Sequence, residues 1–375
     1  MDISRFSQAS PGKTLQIATH GGWAFLPNRL PPKWEFPLKM WPLLAEVKQK
    51  LGELEGVGKS LLNPGIMIKP LINREAIDSS TIEGTYATPQ ELLLFQMRQG
   101  EQGPSLFEDA REVSNYSRAM ESAISDESPI TIDTLCEMHR VLLTGTRGED
   151  KLPGQIRDRQ VAVGNRYRFV PPPSGELPVL LNDLDEDFGQ PLSVDPLINA
   201  FLVHYQFEAI HPFNDGNGRV GRALLALMIY RNCGFTKPWL YLSSYFEQHR
   251  RGYIERLNRI STNGDWDSWI EFCLKATHSQ AIATIQKCER VIGLQQDFEN
   301  RVATAGGSFR LQQVLTRLFE RQYMQIPELS EILEVTYPTA NSDVEKLVEL
   351  GILALLDDVS PKTFFSPELF QATYG

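Results

Sequence analysis

Cysteine is scarce in this 375-residue chain: Cys136, Cys233, Cys273 and Cys288 are its only four. None stands in a C-x-x-C pair, so neither a zinc knuckle nor a dithiol redox site is expected, and the four read as buried thiols. Long hydrophobic runs are also missing. The longest, Ala223 to Tyr230, is far short of the roughly 20 residues that cross a bilayer, and the N-terminus, with Asp2, lacks the apolar core of a signal peptide. No membrane association is expected, and a cytoplasmic location is. Positive charge is in deficit, with 37 Lys and Arg against 47 Asp and Glu and a net charge of −10, which argues against a general polyanion binder. Internal repeats and low-complexity tracts are absent. What remains, 42% hydrophobic and 22% charged, is the composition of a globular protein with two or three domains.

Residues 1 to about 40 are rich in Pro and Gly, with Trp23, Trp34 and Trp41 among them, and read as a segment wrapping over other structure. From Trp41 the apolar spacing turns helical, through Leu43, Leu44, Val47 and Leu51, then Leu71, Ile72, Ala76 and Ile77, then Leu92, Leu93, Phe95 and Met97. One stretch breaks the pattern. Arg159 to Val163, the turn-prone Gly164-Asn165, and Tyr167 to Val170 predict a β-hairpin closed by three prolines. Helices are expected again over Leu197–Ile210, Arg219–Asn232, Tyr253–Ile260 and Trp266–Val291. A linker at 304–308 then precedes a helix, helix, longer helix and two-strand order (Leu311–Arg321, Ile326–Leu333, Pro338–Leu350, Ile352–Leu356, Thr363–Phe365) that suggests a winged helix. The domains expected are 1–125, 126–300 and 305–375.

The run His211-Pro212-Phe213-Asn214-Asp215-Gly216-Asn217-Gly218-Arg219-Val220-Gly221-Arg222 concentrates polar groups at a helix start. Pro212 stops the preceding helix, and the glycines let a ligand approach the backbone. The new helix offers unpaired N–H groups and the positive end of its dipole. That is an anion site. Arg219 and Arg222 on one helix face would add charge-assisted bonds to further phosphates, so a polyphosphate is the expected ligand. Asp215 makes sense as a ligand to a bridging Mg²⁺, and His211 as the nearby titratable base. A dinucleotide fingerprint at Gly216, Gly218 and Gly221 fails because it follows a helix, and a P-loop fails for want of its Lys-Ser/Thr pair.

The same run resembles the Fic family signature H-x-F-x-[D/E]-G-N-G-R-x-x-R at every specified position. The resemblance implies a mainly helical, all-α Fic fold with a β-hairpin flap, beside the small C-terminal winged-helix domain. It also implies transfer of AMP from ATP, with Mg²⁺, to a hydroxyl side chain of a protein, this chain itself included. By the same resemblance His211 is the base and Phe213 the core anchor of the loop. Asp215 is the metal ligand. The nucleotide is met by Gly216, Asn217, Gly218, Arg219, Val220, Gly221 and Arg222, with Tyr253 and Leu257 bordering the adenine. The flap, Gln160, Val161, Ala162, Val163 and Gly164, would receive an extended target by strand addition.

A second motif, Ser79-Ser80-Thr81-Ile82-Glu83-Gly84, is similar to the inhibitory pattern [S/T]-x-x-x-E-[G/N] that Fic proteins of the second class carry before the signature. Residues 73–82 read as a helix with Gly84 as its left-handed cap, which leaves Glu83 at the negative end of a dipole and in want of a cation. The resemblance supplies Arg222. A pair contributing ~3 kcal/mol would reduce the competent state roughly 100-fold. Two other readings stay open. One is a DNA-binding regulator acting through the C-terminal domain with a nucleotide-sensing Fic core. Its charge disfavours nucleic acid: residues 301–375 hold six basic against ten acidic residues, so protein contact or a homodimer is expected there. The other is removal of AMP, or transfer of a different nucleotidyl group.

Overall fold

The computed structural model describes residues 1–20, 22–97, 108–164, 169–356 and 359–375. Contacts divide the chain into two compact units, 1–51 with 72–280, and 52–71 with 281–375. The order begins with strands β1 (Gly12–Gln16) and β2 (Trp23–Pro27), then helices α1 (Trp41–Ser60), α2 (Gly65–Ile82), α3 (Pro89–Met97), α4 (Glu108–Ser125) and α5 (Ile132–Leu143). After the flap come α6 (Leu177–Asp187), α7 (Pro196–Ile210), α8 (Asn217–Asn232), α9 (Ser243–Gln248), α10 (Arg250–Asn263) and α11 (Trp266–Thr304). The remainder is α12 (Phe309–Leu318), β3 (Tyr323–Gln325), α13 (Ile326–Ile332), α14 (Tyr337–Glu349), β4 (Ala354–Leu356), β5 (Thr363–Phe365) and α15 (Pro367–Tyr374).

In the first unit α7 and α8 form the centre. Both are apolar on nearly every face, with Phe201, Val203, Phe207, Leu224, Leu227 and Ile229 wholly or almost wholly buried, the pattern of a helix with neighbours all round. Asp195 caps α7, its Oδ1 accepting from Leu197 N at 2.9 Å ahead of Pro196. On the other side of the pair α4 and α5 are tied by Asn115 Nδ2, which donates to the carbonyls of Leu142 and Thr144. Trp269 of α11 donates its indole N–H to Phe201 O at 3.1 Å.

Three expectations change on this frame. The N-terminal segment is partly a hairpin: β1 and β2 pair antiparallel with Gly12 opposite Pro27, and Ala24 and Phe25 are fully buried. Its short strands were hidden by the surrounding glycines and prolines. Gly12 is required, because a β-carbon there would lie 2.5 Å from the Phe25 ring. Helix α2 starts eight residues before Asn73 and runs through Pro70, its buried face carried back by Ile66 and Met67. The flap has one antiparallel bridge, Val163 with Phe169, in place of two full strands; Asn165, Tyr167 and Arg168 lie outside the described residues.

The second unit ends in a three-stranded antiparallel sheet of order β3-β5-β4, with Phe364 opposite Met324 on one side and Leu355 on the other. Ser308 caps α12, and Arg310 of α12 pairs with the buried Asp343 of α14. Helix α11 runs 39 residues to Thr304, past the expected end at Val291 and into the expected linker.

Candidate functional site

Helix α7 ends at His211, whose backbone turns left-handed (φ 52°, ψ 63°) with its N–H still on Phe207 O at 2.9 Å. Such a φ is uncommon outside glycine and is strained. It throws the chain into the loop 212–216, which re-enters helix at Asn217 through Gly216 at φ 75°. Asn217 staples that loop from inside: Phe213 N donates to its Oδ1 at 2.8 Å, and its Nδ2 donates to Phe213 O at 2.9 Å. Both ends of its amide are therefore engaged by the loop, and its backbone N–H at the helix start is open to an anion. Among the described residues no side chain caps the first turn of α8, so its N–H groups stay open at the positive end of the dipole.

Phe213 is buried and stacks on His139 of α5, centroids 3.9 Å apart and planes 9° off parallel. His139 Nδ1 accepts from Gly154 N at 2.9 Å, which puts the proton on Nε2, and Nε2 donates to Asp215 O at 3.0 Å. Burial lowers the His139 pKa to about 4, so the ring is neutral and structural. A lone histidine on a helix gave no sequence signal of this role.

His211 is half-buried, and its pKa is pressed down to about 4, first by burial and then by the charge of Arg157. At neutral pH its imidazole is unprotonated and able to accept a proton. Arg157 is itself buried; its Nε donates to His211 O at 2.8 Å, and its other nitrogens reach Arg159 O, Pro172 O and Ile210 O. No motif marked it.

Arg222 is 2% exposed and donates three bonds, to Ser79 of α2 and to Glu83 just past its end. Its Nε donates to Ser79 Oγ, one terminal nitrogen donates to Ser79 O, and the same nitrogen donates to Glu83 Oε1, each at 2.8 Å. Burial opposes the Arg222 charge, yet Glu83 raises its pKa; burial likewise opposes ionisation of Glu83, and Arg222 outweighs it. Gly84 follows at φ 92°, the cap that ends α2 and leaves Glu83 at the helix's negative end. The Glu83 carboxylate also lies against α8, since a β-carbon on Gly218 would stand 2.2 Å from Glu83 Oε1. Arg219 points elsewhere: it meets Glu112 of α4 at 3.2 Å, and Glu112 also receives Arg147 and Thr85.

A cavity of about 330 Å³ opens in front of these groups. Of the expected site residues, His211, Gly218, Arg222, Glu83, Tyr253, Leu257, Val163 and Gly164 line it. Gly216, Asn217, Arg219, Val220 and Gly221 do not, and neither do Gln160, Val161, Ala162, Ser79 and Asp215. Val220 is a core side chain, and Gly221 is kept small by Glu208, whose Oε1 would be 2.4 Å from a β-carbon there. Tyr253 borders the cavity while its hydroxyl binds His204 Nε2 at 2.9 Å and its ring stacks on Phe246 at 4.6 Å, so it serves core and cavity together. Glu208, one turn before His211 on α7, was missed from the sequence; burial raises its pKa to about 7, and its Oε1 has no hydrogen-bond partner among the described residues.

The donor set suits magnesium only with substrate present. Asp215 is exposed, with Oδ1 accepting from Gly216 N at 2.8 Å, and among the described residues no three His, Cys, Asp or Glu side chains cluster as a metal cage. Mg²⁺ commonly takes one or two carboxylates plus phosphate oxygens and water. One exposed carboxylate, Asp215, beside an open helix start fits that habit.

A helical fold with an uncapped helix start, a buried arginine and a neutral imidazole facing one cavity sets the class: a mainly α-helical protein whose cavity suits an anionic ligand. Comparison with known proteins gives the family. The Fic/DOC family N-terminal profile matches residues 41–125 and the Fic/DOC family profile matches 129–229; the chain is a Fic domain protein. It is 30% identical over 185 residues to protein adenylyltransferase fic-1 of Caenorhabditis elegans, covering 49% of this chain and 33% of that one. To protein adenylyltransferase Fic of Nematostella vectensis it is 28% identical over 242 residues, 63% of this chain and 54% of that one. The chain thus spans about a third to a half of the length of these relatives. Among solved structures, a Fic family protein from Desulfovibrio desulfuricans G20 superposes with a TM-score of 0.58 at 20% identity, over 90% of this chain and 98% of that one. Fic-1 of C. elegans gives 0.52 at 24%, over 66% and 74%. These likenesses carry the fold.

Proposed function

We propose that the protein is an adenylyltransferase that moves AMP from ATP onto a Ser, Thr or Tyr hydroxyl of a protein, and that Glu83 holds it inactive. The observation that carries this reading is the placement of one neutral imidazole, one uncapped helix start and one buried arginine around a single cavity, with a carboxylate bound to that arginine. The relatives' names, protein adenylyltransferase, point to the same reaction. His211 takes the proton from the target hydroxyl; the freed oxygen forms a bond to the α-phosphorus, and pyrophosphate departs with the electrons of the broken P–O bond. The backbone N–H groups of 217–219 and Arg222 hold the negative tail of the nucleotide. Asp215 would hold Mg²⁺, which neutralises phosphate charge when bound.

Val163 and Gly164 of the flap face the cavity, and the flap offers a strand edge to an extended target. Tyr253 and Leu257 border the base. The net charge of the C-terminal region, which we read as a winged-helix domain, favours contact with protein or a second copy over nucleic acid. All four cysteines are free thiols, in keeping with a reducing, cytoplasmic setting. Among the described residues no helix is long and apolar enough to cross a membrane. Intact-mass spectrometry of the Glu83→Gly chain, and peptide mass spectrometry of protein extract added to it, after incubation with Mg²⁺ and ATP, tests the reading. Added mass equal to AMP is the expected result, and added phosphate alone contradicts it.

A further inference from the structure

We propose that Arg157 is a positioning residue whose guanidinium locks both legs of the flap to the His211 backbone, holding the edge that receives a target at one spacing from the base. This rests on the reading of His211 and the flap given above. Arg157 is 2% exposed and, among the described residues, has no carboxylate partner. Instead its fork is divided among four carbonyls. Nε reaches His211 O at 2.8 Å, and one terminal nitrogen reaches Arg159 O at 2.9 Å. The other takes Pro172 O at 2.6 Å and Ile210 O at 3.4 Å. Arg159 lies on the entering leg and Pro172 on the leaving leg, while Ile210 and His211 end α7. The Arg157 backbone N–H adds a bond to Pro212 O at 2.9 Å.

Burying a cation without a counter-ion is expensive. For plain packing an apolar side chain of similar length would be more favourable, so the retained guanidinium points to its geometry. A planar fork spans several acceptors at once, whereas an ammonium is a point charge that does not. Among the described residues the flap's other side-chain and bridge ties do not reach the base: Val163 bridges Phe169, Gln160 donates to Pro171 O, Phe25 N donates to Val170 O at 2.8 Å, and Arg159 donates to Asn214. Burial lowers the Arg157 pKa only to about 10, so the fork stays charged at neutral pH.

The test compares Arg157→Lys and Arg157→Met with the native chain, each also combined with Glu83→Gly. Hydrogen exchange by mass spectrometry reads the clamp without reference to activity. Both variants should exchange about tenfold faster or more in peptides spanning 159–172 and 210–214, with the rest of the chain unchanged. In the Glu83→Gly background, label transferred from α-labelled ATP should fall about tenfold or more at saturating ATP while the KM for ATP stays within about twofold. If Arg157→Met unfolds globally, Arg157→Lys decides. Unchanged flap exchange in the folded variant, or full rescue of exchange by lysine, overturns the clamp. Faster flap exchange with no transfer by any variant upholds it and instead removes the transferase reading.

Discussion

Replacing Glu83 by glycine removes the carboxylate that meets Arg222 at 2.8 Å. A charge-assisted hydrogen bond contributes about 1.5–3 kcal/mol. The Glu83 side chain is 40% exposed, so water screens the pair toward the lower end, ~1.5 kcal/mol. That corresponds to a factor of about 10 in the nucleotide-competent fraction, below the roughly 100-fold that the sequence alone suggested from ~3 kcal/mol. Two effects bracket the figure. The two bonds from Ser79 survive the substitution and keep Arg222 in place. Removal of the side chain also uncovers Gly218, which the carboxylate crowds. Transfer of label from α-labelled ATP should therefore rise about tenfold or more in Glu83→Gly, and less in Glu83→Gln, which keeps the bulk and loses the charge. Equal rates in native chain and Glu83→Gly would refute the inhibitory role.

His211→Ala should abolish transfer and leave calorimetric ATP affinity in Glu83→Gly within about threefold, because in the proposed reaction the imidazole takes a proton and does not hold phosphate. With a His211 pKa of about 4, the base is deprotonated above that pH, so kcat/KM of Glu83→Gly should keep no acid limb from this residue between pH 5 and 8; a limb near 6.5 would show an unperturbed imidazole. His139→Ala removes the ring under Phe213 and the bond to Asp215 O, and differential scanning calorimetry should show a loss of about 2–4 kcal/mol together with loss of transfer. Glu75 is fully buried, accepts from Tyr116 and Ser243, and has its pKa raised by burial to about 7. The unfolded chain releases that proton near 4.5 and the folded chain near 7, so this group's contribution to stability falls as pH rises between those values. Glu75→Gln should gain stability relative to the native chain from pH 5 to 7.5, and a pH-independent difference would contradict the assignment.

Much of the site was legible because its chemistry is local. The twelve residues from His211 carry their own stop, turn and helix start, and the α7 and α8 spacing around them is helical on every side. Glu83 was legible through its glycine cap and its place at a helix end. What the sequence hid is long-range. His139 reaches Asp215 across 76 positions and Glu112 reaches Arg219 across 107, so no spacing rule links them. Among the described residues Arg157 binds carbonyls alone, which have no sequence signature. Asn217 and Arg219 sit inside the motif, yet their side chains support the loop and α4, a distinction set by the turn geometry at Gly216. The N-terminal hairpin was obscured because five-residue strands between glycines and prolines give too short an alternation to register.

The central claim is that a nucleotide tail lies over the start of α8, and that Glu83 competes with it for Arg222. A crystal structure of Glu83→Gly soaked with Mg²⁺ and a non-hydrolysable ATP analogue tests it most directly. The account predicts phosphate oxygens on the N–H groups of 217–219, one of them on Arg222, with the α-phosphorus facing His211. An analogue bound elsewhere, or a site that takes none while the native chain's fold is kept, would contradict it.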